Sequence, residues 1–307
     1  MGAYILRKCL VIVPLLAVIT LLVFLMRVLV PGDPVEIMLM GQATDRENIE
    51  RIRKELGWDR PLLVQYADYA VGLVRGDLGK SIQNGRPVVD DLLARYPLTI
   101  LLAVAALAIA VALGLGLGLA AALHRDRILD AVTTALAVVG MSMPPFWLGL
   151  LLISWISVRL GLLPVMGSES WRNLVLPAVT LGSIASAAVA RLVRSSVLET
   201  LGQDYIRTAR AKGLAEWLVI LKHALRPALY PVLAMVGLQF GFMLSGAFIV
   251  EVVFAWHGVG ELAVIAIQNR DFPVVQGIVV VVAATYILVN TAVDVLCAWL
   301  DPRVSVR

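Results

Sequence analysis

The sequence predicts an all-α integral membrane protein with six transmembrane helices. Three observations lead there. Of the 307 residues 60% are hydrophobic, and the mean hydropathy is +0.88, whereas soluble domains hold roughly 45–50% apolar residues. The excess is gathered into six blocks, each close to or beyond the roughly 20 residues that cross a bilayer. Lysine and arginine concentrate in alternate connections between those blocks.

The first block is Cys9 to Val30. Arg7 and Lys8 before it imitate a signal peptide, but the apolar region of a signal runs only about 7–15 residues and ends at small residues. This block is longer and leads through Arg27 into Pro31-Gly32-Asp33-Pro34, so a retained first helix is expected, with Arg27 snorkelling to the far interface. The remaining blocks are Leu98 to Leu123, Ile128 to Val158, Leu174 to Val197, Pro231 to Val250 and Val274 to Leu300. Runs this continuous suit helices, since an open sheet leaves backbone groups unpaired in lipid and barrel strands alternate. Gly114 and Gly118 form a small-xxx-small face for close helix packing. Pro144-Pro145 predicts a kink in the third span. Cys9 and Cys297 lack metal-type spacing and read as small apolar filler.

The net charge of +4 and the pI near 9.2 bear on topology first. No basic stretch is interleaved with aromatics, as nucleic-acid binding would require. With the N-terminus inside, the inner segments carry Arg7, Lys8, Arg125, Arg127, Arg194, Arg207, Arg210, Lys212, Lys222, Arg226, Arg303 and Arg307. The short outer loops carry Arg159, Arg172 and Arg270. Both termini are therefore expected to be cytoplasmic.

Behind the first helix (1–30) comes an outer region, 31–89, then a core of five helices over 90–300 and a tail at 301–307. Within the outer region, Asp45 to Leu56 has the charge mix of a solvated helix that Gly57 would end, and Pro61 to Leu73 suggests a second one. Gly79-Lys80-Ser81 imitates a phosphate-binding loop, but the glycine required five positions earlier is Val74, so a turn is expected. A further outer loop, Glu251 to Pro273, contains Trp256-His257-Gly258. His124, His223 and His257 fall in connections, and neither a nucleophile–base pair nor a metal-ligand cluster is evident. No catalytic, cofactor-binding or metal residue is assigned.

The inner loop, 199–230, carries the most information. It reads Gly202-Gln203-Asp204-Tyr205-Ile206-Arg207-Thr208-Ala209-Arg210-Ala211-Lys212-Gly213-Leu214. Asp204 suits an N-cap and Gly213 the residue just past a helix end, giving about two turns. So short a helix is marginal alone and needs a docking partner. Its alanines are small enough to enter a groove, and Arg207 and Arg210 share a face. Leu214, Trp217, Leu218, Leu221 and Leu225 then recur at helical spacing, which predicts an amphipathic helix on the membrane surface before Pro227 and Pro231 redirect the chain.

This loop resembles the coupling loop of ABC importer permeases. Of that family's general pattern (Glu-Ala-Ala, three residues, Gly, nine residues, Ile-x-Leu-Pro) only Ala209, Gly213 and Leu225 match. The run Asp204 to Gly213 is, however, very similar to the form in the peptide and nickel branch. Pro31-Gly32-Asp33-Pro34, Gly76-Asp77-Leu78-Gly79, Ser142-Met143-Pro144-Pro145-Phe146-Trp147, Leu176-Pro177-Ala178 and Asp301-Pro302-Arg303 also resemble that branch. Gly237-Leu238-Gln239-Phe240-Gly241 through Glu251 is similar to its dipeptide and glutathione members, whereas Trp256-His257-Gly258 departs from the commoner Trp-Pro-Gly.

The resemblance implies a type I ABC importer permease fold in a bacterial inner membrane and a transport component that is not itself an enzyme. It implies pairing with a second homologous permease, one or two ATPase subunits that hold ATP and Mg, and an extracytoplasmic solute-binding protein. Asp204, Tyr205, Arg207, Thr208, Ala209, Arg210, Ala211, Lys212, Gly213 and Leu214 would be the ATPase-coupling residues. Gln239, Glu251 and Asp294 are candidates for the pathway or outer gate. Beside that stand plainer readings: a helix-end charge for Glu251, and a structural hydrogen bond for Asp294, the one acid well inside a span. The solute is expected to be a di- or oligopeptide or glutathione, with nickel or a metal chelate as the alternative. An ion-driven secondary transporter is the rival class, although the inverted repeats common there are not seen.

Overall fold

The structure, a computed structural model, describes residues 2–29, 46–55 and 57–300. The Pro31-Gly32-Asp33-Pro34 and Asp301-Pro302-Arg303 motifs and the tail at 301–307 lie outside the described residues. The described chain is helical: α1 (Gly2–Leu29), α2 (Arg46–Glu55), α3 (Leu62–Val74), α4 (Val88–Leu123), α5 (Ile128–Ser142), α6 (Pro145–Leu152), α7 (Trp171–Leu201), α8 (Asp204–Ala211), α9 (Glu216–Leu218), α10 (Leu225–Val253), α11 (Val259–Gln268) and α12 (Phe272–Leu300). Among the described residues five helices are long and apolar enough to span, and a sixth span results if the bent pair Ile128–Ser142 and Pro145–Arg159 counts as one.

Two spans differ from expectation at their prolines. The third span does not merely kink. It breaks by 104° between Ser142 and Pro145. A proline forces the residue before it out of the α region. With two prolines in a row, Met143 (φ −79, ψ 127) and Pro144 (φ −62, ψ 134) are both extended. The fifth span shows the opposite. Pro227 and Pro231 do not redirect the chain; it stays helical from Glu216 to Leu244 and beyond. A π-helical segment, Val219–Ala224, joins α9 to α10. It contains His223, whose carbonyl an ordinary residue 227 would bond, and a π-turn already removes groups from the regular ladder. Hence the expected surface helix from Leu214 to Leu225 is instead the opening of the span. The second span also begins earlier, at Val88, with Asp90 and Asp91 in its first turn, where acids complement the helix dipole.

The chain divides into two compact units: 98–257 with 288 onward, and 2–97 with 258–287. In the first, Leu102, Ala103, Ala106 and Ala110 of α4 pack with Leu176, Ala178 and Leu181 of α7 and with Met243, Leu244, Ala247 and Val250 of α10. A second cluster joins Val189, Val193 and Val197 of α7 to Ala122, Ala228 and Val232. Glycine permits this proximity. A Cβ on Gly114 would come 2.5 Å from Val189 Cγ1, and one on Gly118 would come 2.5 Å from the Ala190 carbonyl oxygen. The same holds on the facing helix, where a Cβ on Gly182 would come 2.6 Å from the Ala106 carbonyl oxygen.

The second unit holds α1, α2, α3 and α11. Gly57 (φ +67) follows α2 as expected. Arg27 does not snorkel freely. It lies over Trp58, 4.3 Å from the ring centroid, and donates to Gln65 Oε1. The stretch around Ser81 is a turn tied to Asp271, which accepts from Ser81 Oγ at 2.5 Å and from the Ile82 amide at 3.2 Å. The loop after Glu251, expected on the outer side, contains a helix the sequence reading lacked, α11, whose Glu261 pairs with Arg95 at 2.9 Å.

Gly118→Ala is expected to lower the thermal midpoint of the detergent-solubilised protein, because overpacking costs about 1–3 kcal/mol. Gly116→Ala is the matched control. Nothing lies within 4 Å of its added Cβ, so better helix propensity should leave the midpoint equal or slightly higher. A fluorescence-detected thermal shift compares them, and equal midpoints for the two variants would refute the close crossing.

Candidate functional site

α7 ends at Leu201, Gly202 and Gln203 turn the chain, and α8 follows at once. Gln203 (φ −76, ψ 149) occupies the N-cap position, so Asp204 is the first helical residue and not the cap. There its carboxylate still suits the helix N-terminus. At the far end the Lys212 amide bonds the Thr208 carbonyl and the Gly213 amide bonds the Arg210 carbonyl. Gly213 has φ +77, the left-handed geometry expected of it. Among the described residues other than its chain neighbours, no atom lies within 4 Å of where its Cβ would stand, so the demand for glycine is conformational and not steric.

Two side chains pin this helix. Ile206 is 0% and Ala209 5% exposed, and they cluster with Val219 and Ala224 of the π-helical segment, flanked by Leu201 and Leu214. Of the two alanines considered for a groove, Ala209 thus faces inward and Ala211 outward. The outer face comprises Tyr205, Arg207, Thr208, Arg210, Ala211 and Lys212, all exposed. Arg207 and Arg210 share that face but have different partners. Arg207 is 3.6 Å from Asp204 on a solvated surface, where such a pair contributes little. Arg210 makes two bonds to Glu216, at 2.6 and 3.1 Å. This carboxylate raises the already high pKa of Arg210, so the guanidinium stays charged. The pair closes the turn through Gly213 by linking α8 to α9.

The structure does not gather the three pathway candidates into one cluster. Gln239, on α10, and Asp294, on α12, are half-buried. They flank a tight crossing where Gly237 meets Val293. Glu251, twelve residues beyond Gln239, stands roughly 18 Å along the helix. Its side chain is 0% exposed and accepts from Thr99 Oγ1 at 2.7 Å. In this conformation it is enclosed by the chain's own packing, with Trp256 nearby donating Nε1–H to the Leu98 carbonyl at 3.1 Å.

One interaction escaped the sequence reading. Arg194 of α7 grips Asp130 of α5 through two bonds, Nε to Oδ1 at 2.6 Å and Nη2 to Oδ2 at 2.7 Å. Asp130 also accepts from the Asp126 amide at 3.1 Å. In the sequence Arg194 reads only as a topology charge. Asp130 stands two residues inside its helix, close enough to the boundary to pass as a terminal charge.

Residues 114–306 match the family described as the binding-protein-dependent transport system inner membrane component, and residues 1–103 match its N-terminal membrane-component family. The chain is 42% identical over 304 residues to the glutathione transport system permease protein GsiC of Escherichia coli K12, covering 99% of each. It is 43% identical to the GsiC of Salmonella typhi, again over 99% of each. Among solved structures, an inward-facing form of the MetNI methionine ABC transporter aligns with TM-score 0.60 at 19% identity, covering 69% of this chain and 96% of that one. An amino acid ABC transporter aligns with TM-score 0.53 at 20% identity, covering 70% and 94%. These two share the fold.

Two outcomes are expected from the packing. Ile206→Ala should speed amide exchange across 204–211 by about 10-fold or more, since even the lower end of a large-to-small core change exceeds the ~1.4 kcal/mol that tenfold requires. Unchanged protection would mean the helix is held otherwise. Asp130→Ala should lower the thermal midpoint more than the double change Asp130→Ala/Arg194→Met does, because it leaves the partly buried Arg194 guanidinium without its carboxylate.

Proposed function

The chain belongs to the binding-protein-dependent family of ABC importer permeases, and we propose that it forms one half of a translocation pathway, coupled to ATP hydrolysis through α8. It is a multi-pass inner-membrane transport subunit of type I fold, not an enzyme, and membership of the family brings ATPase and binding-protein partners in general. The family assignment sets aside the ion-driven secondary transporter.

α8 carries the finer reading. It is a two-turn helix with an exposed outer face, held from behind by Ile206 and Ala209 and joined by short turns to α7 before it and to α9 and the π-helical opening of the next span after it. That is the form of a part that docks in a cleft and transmits its displacement as a rigid body. Asp204, Tyr205, Arg207, Thr208, Arg210, Ala211, Lys212 and Gly213 would meet an ATPase subunit, while Ala209 and Leu214 support them from within. In this reading α8 and both termini are cytoplasmic, in agreement with the charge distribution. A second homologous permease completes the pathway, one or two kinds of ATPase hold ATP and Mg, and this chain needs no cofactor of its own. ATP binding would close the ATPases and rock the paired coupling helices, opening the pathway toward the solute-loaded binding protein.

For the solute, the names of the relatives favour glutathione within the peptide class, and nothing in them favours nickel. Gln239 and Asp294 remain the pathway candidates on α10 and α12; Glu251 would reach solute only if its packing against Thr99 opened.

The test is ATP-dependent uptake of labelled glutathione by vesicles carrying the whole complex, wild type against Gly213→Val. A β-branched residue is poorly tolerated at φ +77. Uptake is expected to fall at least about 10-fold, the effect of only ~1.4 kcal/mol of lost coupling, while the complex still assembles. Unchanged uptake would remove α8 as the transmission element.

A further inference from the structure

Two arginines one turn apart on α7 stand in different surroundings. Arg194 is matched by Asp130. Arg191 is exposed, and among the described residues its side-chain hydrogen bond is from Nη2 to Met141 Sδ, at 2.8 Å. A thioether is a weak acceptor, whereas a guanidinium carries five N–H donors and a permanent charge. Ten residues separate Arg191 from the end of α7, so it lies roughly 15 Å from that end. Arg191 thus lies within the apolar helix Trp171–Leu201, long enough to span; a charge inside a span is costly against hydrocarbon, and intramembrane arginines face water-filled cavities or pair with an anion.

Arg191 and Arg194 line one cavity of about 160 Å³ between α4, α5 and α7, together with Gly118, Thr134 and Met141. The Asp130–Arg194 pair is neutral as a unit, so the cavity keeps one net positive charge, on Arg191. One incoming carboxylate would balance it, and a planar guanidinium binds a carboxylate through two parallel bonds.

We propose that Arg191 faces the solute pathway and recognises a carboxylate of the transported peptide. This rests on the importer reading above and extends it by naming the group on the solute that the permease itself selects. Glutathione and any peptide with a free C-terminus carry that group. The contact from Arg191 to the Met141 thioether is weak enough for a carboxylate to displace.

The experiment uses vesicles carrying the whole complex and an excess of binding protein preloaded either with glutathione or with its diamide, in which both carboxylates are replaced. Saturation keeps binding-protein affinity from setting the rate. Wild type should move glutathione about 10-fold faster than the diamide. Arg191→Gln should slow glutathione to the diamide rate and leave the diamide unchanged, and Arg191→Lys should recover part of the difference. ATP-dependent uptake by wild type, with loss in Gly213→Val, tests the importer reading separately. If that holds and Arg191→Gln slows both solutes equally or neither, the carboxylate role is wrong. An effect of Arg191→Gln that appears only in vesicles containing phosphatidylglycerol would assign the cation to lipid and overturn the proposal as well.

Discussion

The close crossing of α4 on α7 is the constraint on which the rest of the first unit depends. Lipid tails are as apolar as leucine, so no hydrophobic force drives spanning helices together; they associate through packing and hydrogen bonds. Gly114, Gly118 and Gly182 remove the side chains that would hold the two helices apart, and backbone meets side chain or backbone directly. With α7 fixed in this way, its other faces become surfaces on which other elements assemble. α10 joins the same core through Met243, Leu244 and Ala247, and α5 is held by the grip of Arg194 on Asp130. The element joined to α8 by the Gly202-Gln203 turn is therefore also one on which α4, α5 and α10 all pack.

The ion pair matters because of the proline break. A span bent by 104° at Met143-Pro144 has no continuous ladder to keep its two halves in register. α5 thus needs an anchor independent of α6, and a bidentate arginine–carboxylate pair provides direction as well as attraction. Asp126, in a left-handed conformation (φ 63), donates its amide to the same carboxylate and closes the turn before α5. The carboxylate so joins a loop, a half-span and a full span.

Local rules were legible in the sequence and long-range pairings were not. Gly57 and Gly213 were readable as helix stops because their reason is the backbone of their own turn. Gly114 and Gly118 were readable as a packing face, though the sequence did not say which helix fills it. The prolines show how close the limit lies. Pro144-Pro145 forces two successive extended residues, so an interruption was foreseeable and only its severity was not. Pro227 and Pro231, four apart, would each delete one ladder bond, and an upstream π-turn, invisible in composition, absorbs the first. Asp130 and Arg194 are 64 residues apart on different helices, and α11 is a ten-residue apolar run that periodicity alone cannot assign. In the candidate site the ends of α8 and its charged face could be read, whereas its anchoring by Ile206 on Val219 and Ala224 could not.

That anchoring determines what α8 can do. Two turns of helix are not stable by themselves, so their order derives from Ile206, Ala209 and the Arg210–Glu216 bonds. All of these join α8 to its own sequence neighbours and none to a distant part of the unit. The helix, its turn and the opening of α10 thus form one local body, stiff within itself and connected to the core by Gly202 on one side and the π-helical segment on the other. A displacement of the outer face cannot be dissipated by unravelling α8 without exposing Ile206. It has to pass into α7 or α10, and α7 carries both the Gly118 crossing and the grip on Asp130. The geometry that makes the helix a good docking piece is in this way the same geometry that ties its movement to the spans.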